Sequence, residues 1–311
     1  MAKDSTFVLR RTNDYFFKYV FGSEEGTDVL IDFLNATQNR PPNNRIKTVK
    51  LEDREIDPER YMNKAIRLDV VATTELGHVY QIEVQVADQI FIDQRSLYYW
   101  ASLYHRQLQQ GKLFNELKPT IGISILGFEW FKKDDRYHHV FHLRDDETGE
   151  KLNEDLELHY LELPKLKNLK RGPQNALEEW LVYLSDIQGE GLEAIVMSNP
   201  MIGKALSIEE QFKANAQERR LYDMREKAIF SDATNLAVAK AEGEAKGEAK
   251  GKTEAICQYL EVRFGAESQA LQETVRAITD LETLSRIMNR IYLVNHLDEV
   301  TALIRDNLVS Q

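Results

Sequence analysis

A single cysteine, Cys257, stands in 311 residues, so no intrachain disulfide can form and a Cys-based metal site has no second ligand. Stability has to come from packing. No apolar stretch approaches the ~20 residues that cross a bilayer, and residues 1–11 hold no apolar run of the kind found in a secretory signal. The expectation is a soluble, cytoplasmic protein. An excess of basic residues is also missing: 40 Lys and Arg stand against 51 Asp and Glu, a net charge of −11, which argues against indiscriminate coating of nucleic acid. There is no P-loop, no His/Cys zinc spacing and no Ser/His/Asp order. His138-His139 is not read as a metal pair, because neighbours in a strand point to opposite faces, which leaves one of them facing solvent.

The charge that is present is unevenly spread. The first 135 residues carry 18 basic and 20 acidic residues, so −9 of the −11 lies beyond them. Residues 36–67 hold eight basic residues against five acidic ones and read as a local basic patch. Thr12 reads as the N-cap of a helix ending at Gly22, and 28–34 as a second helix before Pro41-Pro42 breaks the pattern. Residues 46–51 and 67–73 read as strands, and Glu75-Leu76-Gly77-His78 as the turn into a strand over 79–86. Then Leu97, Trp100, Ala101, Tyr104 and Leu108 form a helical stripe that Gly111 stops, with Trp100 and Tyr104 assigned to the core. Strands over 119–128, 140–143 and 156–163 precede a helix over 173–185. This order predicts an α/β core, a mixed central sheet flanked by helices.

Beyond Ile208 the chain is charged and helix-forming. Residues 241–252 repeat with a period of four, pairing Glu242 with Lys246 and Glu248 with Lys252 at i,i+4, while each Gly costs about 1 kcal/mol of helix stability. A solvated spacer is favoured over the alternative, in which Gly243, Gly247 and Gly251 admit a second helix. Ile256, Leu260 and Phe264 mark an amphipathic stripe in the segment after the repeat. The expected division is 1–205 as the α/β domain, 206–252 as charged helical linker and 253–311 as a small helical domain.

The chemistry centres on Asp69, Glu83 and Gln85. Side chains alternate along a strand, so Tyr80, Ile82, Val84 and Val86 share one face of 79–86 and Gln81, Glu83 and Gln85 the other. Asp69, with Leu68, Val70 and Ala72 turned to the core, is left beside Glu83. Hydrolysis of a phosphodiester needs charge stabilisation on phosphoryl oxygens and a nucleophile made from water, and Mg²⁺ on one or two carboxylates serves both. Gln85 is suited to orienting a water or a phosphate. On the bland alternative, these are ordinary surface residues.

The segments 12–22, 68–70, 82–85 and 95–100 (Arg95-Ser96-Leu97-Tyr98-Tyr99-Trp100) resemble the Rpn family, recombination-promoting nucleases also labelled transposases, of the PD-(D/E)XK nuclease superfamily. The similarity covers about residues 5 to 165. It implies that Asp69 and Glu83 are the metal-binding acids, with Val84 and Asp14 among the metal residues, Mg²⁺ as cofactor and Mn²⁺ as substitute. Gln85 stands where many superfamily members have a lysine, and is similar to this family's Glu-x-Gln form. Asp14 and Lys18, at i,i+4, read either as a surface ion pair or as a metal ligand and a phosphate contact. Lys18, Arg67 and Arg95 are the candidate nucleic-acid contacts, Arg95 also as a partner of Glu83. The resemblance implies an endonuclease for double-stranded DNA in recombination or mobile elements, self-associating as a homo-oligomer through its helical C-terminal part. The transposase label carries less weight, since strand transfer usually needs end-recognition domains that are not legible in this chain. The rival reading is a nuclease fold without catalysis that binds DNA or protein.

Overall fold

The structure, a computed structural model, describes residues 7–52, 55–56, 66–67, 69–86, 91–108, 111, 113–167, 171–187 and 189–309. The chain divides into two compact units, Met1–Lys227 and Ala228–Gln311. The first opens with helices α1 (Asp14–Phe21) and α2 (Thr27–Thr37). Asn13, not Thr12, caps α1: its side-chain oxygen accepts from the N–H groups of Tyr15 and Phe16, which the residue one position earlier is not placed to do. The two helices meet so closely that a Cβ on Gly26 would lie 1.6 Å from the Val20 carbonyl oxygen.

Next come β1 (Val49–Leu51), β2 (Glu55–Ile56), β3 (Ile66–Arg67), β4 (Val70–Thr74) and β5 (Val79–Gln85). The strand expected over 67–73 is thus divided. Its first residue pairs with β2 in a small separate sheet, and β4 begins after Asp69. Helix α3 (Ile92–Arg106) leads to β6 (Thr120–Leu126), β7 (His138–His142) and β8 (Leu156–Glu162). Among the described residues these build a six-stranded mixed sheet, ordered β1-β4-β5-β6-β8-β7, with β5, β6 and β8 parallel and the rest antiparallel.

The short α4 (Leu163–Lys167) precedes α5 (Ala176–Leu184), α6 (Glu190–Ser198), α7 (Pro200–Ala214) and α8 (Ala216–Phe264). Asn175 and Asn199 cap α5 and α7, with Pro200 at the first position of α7. One sheet face, carrying Tyr80, Ile82 and Ile123, packs against α1, α2, α5 and α7 around Phe33, Trp180 and Phe212. The other face lies under α3. That helix buries Ile92, Ser96 and Leu103 rather than the expected stripe, and Leu97 and Ala101 are exposed. The phase differs because α3 lays Ile92 on Leu126, Leu158 and Tyr160 and Leu103 on Val71 and Val79, and sets Ser96 against Ser124 between those two patches. Trp100 and Tyr104 are half-buried and work as hydrogen-bond donors, to the Thr120 carbonyl at 2.9 Å and to Asp155 at 2.6 Å.

The division expected after residue 205 falls inside α7. Ile208, Phe212 and, from the start of α8, Tyr222 are in the first unit's core. Glu209 meets the buried Arg11 guanidinium at 2.7 Å, which also donates to the Tyr183 carbonyl and lies over that ring. In the second unit the last turns of α8 pack with α9 (Gln269–Arg276), α10 (Leu281–Ile291) and α11 (Leu297–Val309) around Ile256, Leu260, Val275, Leu284, Ile287 and Ile304. Both expected repeat pairs form, Glu242 with Lys246 at 3.8 Å and Glu248 with Lys252 at 2.7 Å. A Cβ on Gly243, Gly247 or Gly251 would meet nothing within 4 Å. No helix among the described residues is long and apolar enough to cross a membrane.

Truncation tests where the first unit ends. Stopping at Ala205 strips Glu209 from Arg11, and an uncompensated buried charge costs ~3–5 kcal/mol; losing Phe212 removes a comparable amount. A chain ending at Lys227 is expected to show near-ultraviolet circular dichroism and a cooperative melt. One ending at Ala205 is expected to show neither, and equal melts would make α7's second half dispensable.

Candidate active site

The antiparallel register of β4 and β5 sets Val70 opposite Ile82, which brings Asp69, just before β4, level with Glu83. Each carboxylate then takes a backbone N–H from the other's segment. Glu83 Oε1 accepts from Asp69 N at 2.9 Å, and Asp69 Oδ2 accepts from Val84 N at 2.9 Å. These bonds fix both side chains and cost neither its second oxygen. Asp69 is 5% exposed, Glu83 8% and Gln85 4%. The polar face of β5 is therefore enclosed, not solvated, because α3 lies across it. Gln85 Oε1 is buried there without a hydrogen-bond partner.

A cation comes from α1. Lys18 Nζ lies 2.8 Å from Asp69 Oδ1 and 3.5 Å from Asp14 Oδ2, so of the two readings left open for this i,i+4 pair, the pair points into the carboxylates and is not a surface ion pair alone. Asp14 is held in turn by Arg225 of α8, whose Nε lies 2.8 and 2.9 Å from its two oxygens. Asn13 donates to Glu226 and Tyr15 to Glu218, so the first turns of α8 grip α1 along its start. Arg225, Glu218 and Glu226 were not singled out from the sequence, and a separation of more than 200 residues left no pattern to find them by. Arg95, in the first turn of α3, stacks its guanidinium 5.7 Å from the Tyr99 ring centroid, and its charge acts on Glu83. Of the expected basic patch, Arg45, Lys47 and Lys50 are exposed, while Arg40 is tied to Gln38 and Tyr80. Arg54, Arg60, Lys64 and the Arg67 side chain lie outside the described residues.

The profile of the PD-(D/E)XK nuclease family transposases matches residues 11–239. The chain belongs to that family. Neither a curated protein nor a solved structure matches it. The family match runs beyond the stretch of motifs, through α7 and into α8, so it includes the residues that clamp α1.

Proton binding at the site follows from its burial. Desolvation, and then the charge of Asp69, push Glu83 up to about 8; desolvation also raises Asp69, although Lys18 and the Val84 N–H oppose it. Asp14 moves the other way: burial works against its ionisation, but Arg225 and Lys18 outweigh it. Two buried carboxylates side by side suit a hard divalent cation, which takes oxygen ligands and relieves the repulsion between the acids, and the Gln85 amide oxygen on the same strand face is left open to a donor such as water.

Glu83 binds its proton more tightly folded than unfolded, so the metal-free chain gains stability below about 4.5 and loses it as pH rises towards 8. Melting in chelator is therefore expected to fall across that window. Glu83→Gln should flatten the fall and melt higher than wild type at the alkaline end, by about 2–4 °C for each kcal/mol relieved. A melting temperature that does not change with pH in the wild type would contradict the assignment.

Proposed function

We propose that the chain is a Mg²⁺-dependent endonuclease that hydrolyses phosphodiester bonds of double-stranded DNA, in a recombination or mobile-element setting, with Mn²⁺ as substitute. The observation that carries this reading is the pair Asp69 and Glu83, buried side by side, Glu83 aimed by the Asp69 N–H and Asp69 by the N–H of Val84, the residue after Glu83. Asp69, Glu83 and the Val84 backbone would hold Mg²⁺, which would supply charge neutralisation on phosphoryl oxygens and a lowered pKa for a water.

The chain's own residues do the rest. Lys18 brings to the carboxylates the positive charge that a neutral glutamine at position 85 lacks. Gln85 Oε1, an acceptor without a donor, aims the attacking water by taking a hydrogen bond from it. Asp14, held by Arg225, is a positioning residue that keeps Lys18 at the site. Arg95 faces the same carboxylates from α3 and is assigned to a DNA phosphate. The rival, a fold without catalysis, draws on the missing lysine at 85; Lys18 answers that objection.

Nicking and linearisation of supercoiled plasmid in Mg²⁺ tests this. Asp69→Ala and Glu83→Ala should abolish cleavage. Lys18→Ala should lower it by ~10²–10³-fold, the cost of removing one charge-stabilising donor, and Gln85→Lys should keep or raise it. Undiminished cleavage by either alanine variant would sink the site, and a wild type inactive in both Mg²⁺ and Mn²⁺ would favour the rival.

A further inference from the structure

At its β8–β7 end the core face of the sheet stops being apolar. The register sets His138 opposite Leu161, Val140 opposite His159 and His142 opposite Glu157, so His138, His142, Glu157 and His159 share the face that carries Ile121 and Ile123 one strand away. They line a cavity of about 500 Å³ that the ends of α2 and α5 also border, through Gln38 and Asn175. Glu83 pairs with Ser124, and Ser124 with Tyr160, which places the nuclease carboxylates on the opposite face. This cluster is therefore separate from them.

The hydrogen bonds in the cluster have a direction. Glu157 Oε1 is doubly occupied, by Gln38 Nε2 at 2.6 Å and by His159 Nε2 at 2.6 Å. With its Nε2 proton committed to a carboxylate, His159 accepts at Nδ1 from His138 Nε2, at 2.8 Å. This chain of side chains fixes Glu157 and leaves its second oxygen 3.9 Å from His142 Nδ1, which lies 3.3 Å from the Leu156 carbonyl oxygen and would give up that contact to bind a metal through Nδ1. Glu154 completes the group: ligand atoms of His142, Glu154 and Glu157 all lie within 4.8 Å of one another. Lys151, 2.6 Å from Glu154, is the cation the cluster holds.

We propose that His142, Glu157 and Glu154 form a second cation site, for a divalent first-row transition ion such as Zn²⁺. An imidazole with two carboxylates suits such an ion better than Mg²⁺, and three protein ligands leave one position open to water. A ligand carboxylate held by a histidine is the outer-shell arrangement that metal sites use to orient their ligands. Tetrahedral coordination draws ligand atoms closer than they stand in this structure. Glu154, 67% exposed, is the side chain free to swing in, releasing Lys151. Bound metal would fasten the β7–β8 hairpin to itself and, through Glu157 and Gln38, to the end of α2.

Calorimetric titration of the full, chelator-treated chain with Zn²⁺ tests the proposal, using Asp69→Ala/Glu83→Ala as background so that the nuclease acids do not contribute. One equivalent is expected to bind and to raise the melting temperature. His142→Ala, at the rim of the cavity, and Glu154→Gln, on the surface, should each weaken binding at least tenfold, and His159→Ala by ~10–100-fold. Circular dichroism identifies any variant that fails to fold, and the exposed Glu154→Gln keeps the test decisive in that case. Unchanged affinity in both His142→Ala and Glu154→Gln, or no binding by the background chain, overturns the site.

Discussion

The rest of the first unit depends on holding two carboxylates, Asp69 and Glu83, side by side away from water. Moving one carboxylate into a protein interior costs several kcal/mol, and a second one beside it adds repulsion. The fold offsets that cost locally with crossed backbone hydrogen bonds between the Asp69 bend and β5, with the Lys18 ammonium, and with a proton that Glu83 keeps to about pH 8. A proton and a lysine can both give way to a divalent cation. The same strain that makes the acids costly to bury is what the proposed cation would relieve.

Lys18 reaches the acids only if α1 is fixed, and its fixing comes from the far end of the unit. Arg225, Glu226 and Glu218 of α8 hold Asp14, Asn13 and Tyr15, while Glu209 of α7 holds Arg11 one turn earlier. The family match extends over this stretch. α7 and the start of α8 are therefore part of the nuclease-like unit and not a linker beyond it. Charged residues that look like solvated helix surface in the sequence are here hydrogen-bond and ion-pair partners of the site's first helix and of the residues just before it.

What the sequence disclosed was local. The two-residue period of 79–86 and the turn at Gly77 gave the β4–β5 pairing, and with it the meeting of Asp69 and Glu83. The lid over that face was not legible. Polarity at Gln81, Glu83 and Gln85 reads as solvent exposure, yet α3 covers them, and its own buried stripe of Ile92, Ser96 and Leu103 is too weakly apolar to announce a packed face. The two adjacent histidines show the same limit. They do point apart, but neither faces solvent freely: His138 meets His159 of the next strand, and His139, 4% exposed, meets Asp134 and Glu162. Period reveals which face a side chain takes; only strand order reveals what it meets there.

The central claim is that Asp69 and Glu83 are a cation site kept closed by a proton. It is tested most directly by calorimetric titration of Mg²⁺ at pH 7 in buffers of different ionisation enthalpy, which counts protons released on binding. Wild type should release close to one proton per Mg²⁺ bound, and Glu83→Gln should release none and bind more weakly. Binding of equal strength in Asp69→Asn/Glu83→Gln, or binding by wild type with no proton released, would contradict the account.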